Sequence, residues 1–207
     1  MWAVEDPDEK SEIQRSGLSQ SIHGLLDIIK AEEALVPRDK IFLCGISQGF
    51  ATALSALLTE GQGGFAGLIG LCSWMPFVGK VEELLATAFI SASGSSGDTE
   101  GAKTHQPSNE VMLFSALQAI YHDNGLPRVS QQNQQQRPLP SKIKTIPLFL
   151  GHAVDDSVVP LENARRMKKA LSDLGLSVDW HEYGDGGHWV NEPQGVDEIV
   201  GFVKRCL

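Results

Sequence analysis

The pentapeptide Gly45-Ile46-Ser47-Gln48-Gly49 constrains this chain more than any other stretch. It follows a short apolar run, Lys40-Ile41-Phe42-Leu43-Cys44, and precedes a segment carrying Ala51, Ala53, Leu54, Ala56, Leu57 and Leu58. The first run reads as a short buried strand. The second is apolar nearly all round and rich in small residues, which suits a helix packed tightly on a sheet. A strand that turns sharply into a helix at G-x-S-x-G is a nucleophile elbow. The turn brings the backbone close to its neighbours, so a Cβ at either Gly45 or Gly49 is expected to clash. It also lifts Ser47 above the sheet at a helix start, where the Gln48 amide faces the charge developing on an attacked carbonyl oxygen. The pentapeptide alone is a weak signal in a chain with 21 glycines. Its flanking strand and helix carry the reading.

The rest of the chain repeats the strand-and-helix alternation. Asp6-Pro7 reads as a helix start, followed by Ile13, Leu18, Ile22, Leu25, Leu26 and Ile29 at helical spacing and stopped by Pro37. After the elbow helix, Gly61 to Gly64 make a turn, and Ala66 to Cys72 form an apolar strand ending at Ser73-Trp74-Met75-Pro76. Ile146 to Leu150 is a third strand. Leu161, Ala164, Met167, Leu171 and Leu174 mark a helix, Ser177 to Tyr183 a strand, and Val196, Ile199, Val200 and Val203 a closing helix. Such alternation implies an α/β fold with a mostly parallel sheet and helices on both faces. A length of 207 residues suits a single domain. Residues 91–141 interrupt the pattern with a Ser/Gly run at 91–97 and a Gln-rich run at 131–136. These read as a low-complexity, mobile insertion holding one helix, from Val111 to Tyr121.

Bulk properties exclude several classes. A net charge of −9 argues against nucleic acid, which needs clustered Lys and Arg, and against an electrostatic hold on anionic membrane. No apolar run is long enough to span a bilayer, so stable membrane insertion is not expected. The opening Met1-Trp2-Ala3-Val4-Glu5-Asp6 lacks the basic-then-apolar pattern of a secretion signal. Cys44, Cys72 and Cys206 form neither a disulfide framework nor a metal-ligand spacing, which points to a reducing, cytoplasmic setting.

A serine nucleophile needs a base, and the base needs an orienting carboxylate. His188 lies in the Gly-rich loop 184–187 after the last expected strand, where chain order places the base. Of the other histidines, His23 precedes the nucleophile, His105 and His122 fall in the insertion, and His181 lies within a strand. His152 is the serious rival, but it precedes every plausible acid. The acid is expected after the strand ending at Leu150, and both Asp155 and Asp156 stand there. Spacing does not choose between them, and either is open to the plainer reading of capping the helix near Pro160.

Four stretches together resemble the acyl-protein thioesterases of the phospholipase/carboxylesterase group of α/β-hydrolases, with fungal-like features ahead of the elbow. They are Gly45 to Gly49, Leu71-Cys72-Ser73-Trp74-Met75-Pro76, Gly151-His152 through Asp156-Ser157-Val158-Val159-Pro160, and Gly187-His188. The resemblance implies Ser47 as nucleophile, His188 as base and Asp156 as acid, because the family's D-x-x-V-P pattern begins at Asp156. It implies cleavage of long-chain acyl thioesters on proteins, with no metal or cofactor and with S-acylated proteins or small acyl esters as partners. Trp74 and Met75, with Pro76, either line an acyl channel as substrate-binding residues or belong to the core. Family members carry strands and an H-G-x-G-D oxyanion loop ahead of the first helix. The 207 residues contain neither, so the chain is expected to be N-terminally truncated. Two further functions stay open: a general carboxylesterase or lysophospholipase, and a catalytically silent relative.

Overall fold

The computed structural model describes residues 6–9, 11–93, 109–122 and 140–207. Its frame is a sheet of four parallel strands lying in chain order: β1 (Phe42–Ile46), β2 (Gly67–Leu71), β3 (Leu148–Ala153) and β4 (Val178–Tyr183). Helix α1 (Ser11–Glu33) precedes the sheet and α2 (Gln48–Glu60) joins β1 to β2. The long connection to β3 holds α3 (Val78–Ser93), α4 (Asn109–Tyr121) and the short α5 (Pro140–Lys144). Helix α6 (Leu161–Asp173) joins β3 to β4, and α7 (Gln194–Cys206) closes the chain. Among the described residues no helix is long and apolar enough to cross a membrane.

The period-two alternation of the strands divides the core in two. Leu43, Leu68, Leu148 and Leu150 face a large cluster with Leu18 and Ile22 of α1, Phe50, Leu54 and Leu57 of α2, Phe114 and Leu117 of α4, and Met167 of α6. Ile69 and Phe149 face the other way, toward Phe202 of α7, with Phe42, Leu71, Ile199 and Val203 packed around them. Helices do cover both faces, but very unequally. This corrects the expectation of a buried first strand. Cys44 is exposed and Phe42 only half-buried, because α7 covers β2 and β3 and barely reaches the edge strand.

Other boundaries also move. Helix α1 starts at Ser11, not at Asp6-Pro7. Asp6 instead closes a turn, its Oδ1 accepting the Asp8 amide at 3.0 Å. Ile13, counted in the apolar stripe, is 77% exposed, whereas Leu18, Ile22 and Ile29 are buried. The helix expected in the insertion is α4, and it is part of the packed frame. Tyr121 Oη donates to Pro76 O at 2.9 Å and Gln118 Nε2 to Thr59 O at 2.8 Å, so α4 braces the segment that leaves β2. The Gln-rich run and most of the Ser/Gly run lie outside the described residues.

Candidate active site

The elbow forms where the sequence places it. Ser47 joins β1 to α2 with φ 54° and ψ −127°, a backbone region that a residue with a Cβ enters only under constraint. Three contacts impose it. The Ser47 amide donates to Leu71 O at 2.8 Å, its carbonyl accepts Ser73 Oγ at 2.7 Å, and the same carbonyl takes the Ala51 amide at 3.2 Å. The glycines on either side are not equivalent, however. A Cβ on Gly45 would stand 2.3 Å from the Phe50 amide nitrogen, whereas one on Gly49 would meet nothing within 4 Å. Only Gly45 is sterically required, which corrects the paired reading. Gly70 makes the matching space on β2, where a Cβ would fall 2.5 Å from the Phe50 ring.

The Ser47 amide is spent on the β2 bond, so it is not available to a ligand. Gln48 opens α2, and the first amides of a helix have no intrahelical acceptor. Its N–H stands at the positive end of the helix dipole.

The residues expected as acid and base, Asp156 and His188, come from the neighbouring strand ends. Asp156 follows β3, and its side chain is fully buried. One oxygen, Oδ1, accepts the amides of Val158 at 2.8 Å and Val159 at 3.0 Å. The other, Oδ2, faces His188 Nδ1 at 2.9 Å and His152 Nε2 at 3.3 Å. Burial pushes the Asp156 carboxyl up, but the hydrogen bond from His188 and the Val159 and Val158 amides outweigh it and hold the group below the usual carboxylate range. The carboxylate therefore takes the Nδ1 proton of His188 as a hydrogen bond, which leaves Nε2 as the acceptor end of the ring. His188 remains 24% exposed on its loop. Among the described residues no hydrogen bond links its ring to Ser47 Oγ, as is common where no substrate tightens the contact.

The two aspartates left open by spacing have separate partners. Asp155 Oδ1 accepts the Gly187 amide at 2.8 Å, so it anchors the histidine loop while Asp156 holds the ring. Gly186 and Gly187, at φ 126° and 60°, let that loop turn back toward β3. His152, the rival base, is 1% exposed and lies against Asp156 with Nε2 3.0 Å from Val159 O. Burial lowers its pKa most strongly, so it sits neutral behind the carboxylate. His181 stacks on Phe149 with ring centroids 4.6 Å apart, and its two nitrogens face Asp179 and Glu198, each at 2.9 Å, instead of Asp156. Trp74 and Met75 are 1% and 0% exposed, Trp74 packed with Ala51 and Val159 and Met75 in the main core.

Two neighbours were not anticipated. Trp189 stands next to the base and is 60% exposed. Cys72, at the end of β2, places Sγ 3.2 Å from Trp189 O and 3.7 Å from Gly187 O, under the histidine loop. Burial first, then the Asp156 charge, push its thiol up to about 11, so it carries its proton at neutral pH. Register could have found it: Leu71 pairs with Ile46, so the next residue of each strand, Cys72 and Ser47, stand side by side.

Comparison with known proteins bears on the fold and on the N-terminal half of the chain. Residues 2–98 match the family model described as Phospholipase/Carboxylesterase. Over that stretch, just under half of its length, the chain is similar to the phospholipase/carboxylesterase family. It is also similar to acyl-protein thioesterase 1 of Gibberella zeae, 31% identical over 61 residues, which are 30% of this chain and 26% of that protein. The fold resembles Arabidopsis thaliana SOBER1, with a TM-score of 0.58 and 20% identity over 93% of this chain and 65% of that one. It also resembles Zea mays acyl-protein thioesterase 2, with a TM-score of 0.57 and 20% identity over 93% and 65% of the two chains. The architecture is that of an α/β-hydrolase. The chain thus spans just under two thirds of these plant structures and about a quarter of the fungal relative.

Proposed function

We propose that this chain is the catalytic part of a serine hydrolase that cleaves long-chain acyl thioesters on proteins through an acyl-serine intermediate. The observation that carries the reading is the His188 Nδ1–Asp156 Oδ2 bond of 2.9 Å on a fully buried carboxylate, next to a serine in elbow geometry. Ser47 Oγ attacks the acyl carbonyl while His188 Nε2 takes its proton. Asp156 fixes the imidazole tautomer and stabilises the imidazolium. The oxyanion draws on the Gln48 N–H. His188 returns the proton to the departing thiolate, then activates the water that releases the acyl group. None of these steps calls on a metal or cofactor. Similarity to acyl-protein thioesterases supports S-acylated proteins as substrates in a cytoplasmic setting. The packing of α4 on α2 and α3 supports one domain over 1–207, with 91–141 as an insertion in it.

Labelling with a fluorophosphonate probe tests the triad. Native chain is expected to label, and Ser47→Ala or heat-denatured chain is not. Absence of labelling in soluble, folded chain overturns the reading in favour of a catalytically silent relative. Turnover of a palmitoyl thioester against a lysophospholipid then separates the thioesterase from the second reading, a general carboxylesterase or lysophospholipase, which the family's own description favours.

A further inference from the structure

Three ligating atoms meet where the proposed mechanism uses only two. Cys72 Sγ, a carboxylate oxygen of Asp156 and a ring nitrogen of His188 all lie within 4.8 Å of one another. Sulfur, nitrogen and carboxylate oxygen form a donor set that suits zinc, whereas magnesium and calcium favour oxygen alone. The three come from three separate strand ends, so the fold and not local sequence gathers them. The fully buried Asp156 carboxylate also touches a second imidazole, His152 Nε2, at 3.3 Å. A thiolate and a carboxylate together neutralise a divalent ion, which removes the main cost of placing that charge in a largely buried site.

We infer that Cys72, Asp156 and His188 form a zinc site whose occupation switches off the base. Binding is balanced by one proton. The Cys72 S–H bond breaks, its proton goes to solvent and a Zn–S bond forms. Zinc takes the place of hydrogen on His188 Nδ1, and the ring stays neutral by carrying its proton on Nε2. That tautomer decides the outcome, because Nε2 then bears the proton and does not accept one from Ser47. Ligand atoms around a tetrahedral zinc stand about 3.3–3.6 Å apart for bonds of 2.0–2.3 Å. The longest separation therefore closes by about 1 Å while the 2.9 Å His188–Asp156 pair opens by about 0.5 Å, and His188, partly exposed on its loop, is the member placed to move. Solvent completes the fourth position.

The loss of activity rests on the triad reading above; the metal binding does not. The experiment uses the chelator-treated chain with Co²⁺ as a spectroscopic stand-in for Zn²⁺. One equivalent of Co²⁺ is expected to give a thiolate-to-metal band in the near ultraviolet, which Zn²⁺ then abolishes. The band should vanish in Cys72→Ser and survive in Cys44→Ser and Cys206→Ser. Saturating Zn²⁺ should cut fluorophosphonate labelling at least tenfold, reversibly with chelator, and leave Cys72→Ser labelling intact. Cys72→Ala, checked by circular dichroism, replaces Cys72→Ser should that variant not fold. No cobalt band, a band that depends on Cys44 or Cys206, or equal zinc inhibition of the Cys72 variants each overturns the inference. A chain that shows the band but never labels, even without metal, keeps the metal site and overturns the triad.

Discussion

The two halves of the site are held by different means. Asp156 and His188 are joined by side-chain hydrogen bonds around a buried carboxylate, so their geometry exists before any substrate arrives. Ser47 is held by its backbone: a strained φ of 54°, a bond to β2 and a glycine that leaves no room for error. One half is set by electrostatics and the other by sterics. Substitutions should therefore fail in different ways in each half, in activity on one side and in folding on the other.

The largest effect is expected from Asp156→Asn. It keeps the shape of the carboxyl group but lets the imidazole adopt the wrong tautomer, and turnover should fall about 10⁴-fold with little change in fold. Steady-state hydrolysis of a thioester alongside circular dichroism measures both. Gly45→Ala should do the reverse. Its Cβ meets backbone, not a flexible side chain, so a destabilisation of about 4 kcal/mol or more is expected, seen as a chain that no longer unfolds cooperatively in urea.

The acid half also sets a pH limit. Because the Asp156 carboxyl is held below its usual range, the unfolded chain takes up that proton more readily. Its contribution to stability is complete above the unfolded value of about 4 and fades as pH falls through the lower folded value. Urea midpoints compared between neutral and acid pH should show this loss, and Asp156→Asn should flatten that part of the curve. Equal acid sensitivity in both proteins would assign the loss to other carboxylates. The smallest effect is expected from Gly49→Ala. With open space at its Cβ position and helical backbone, the change should raise stability by about 0.5–1 kcal/mol. A loss comparable to that of Gly45→Ala would mean the two glycines are equivalent after all and remove the contrast between them.

What could be read from sequence follows the same division. The elbow, β2, α6, β4 and α7 were legible because short-range pattern decides them: an apolar run, a turn, then helical spacing. The exposure of Cys44 was not, since it depends on how far α7 extends across the sheet, and nothing within β1 encodes that. Gly49 looked obligatory by symmetry with Gly45, yet only the residue facing Phe50 is crowded. Asp155 and Asp156 were inseparable by spacing because both contact the histidine loop, one through the Gly187 amide and the other through the ring. Resemblance to a family pattern points to Asp156, and its Oδ2 lies 2.9 Å from His188 Nδ1. The place of Cys72 beside Ser47 is not legible locally, because it comes only from the register that pairs Leu71 with Ile46.

The sheet lies in chain order, β1-β2-β3-β4. During synthesis each of the later strands therefore emerges to find its partner already in place, and no earlier pairing has to open to admit it. The proposed nucleophile stands at the end of β1 and the proposed base beyond β4, so the two come together only once every strand between them has paired.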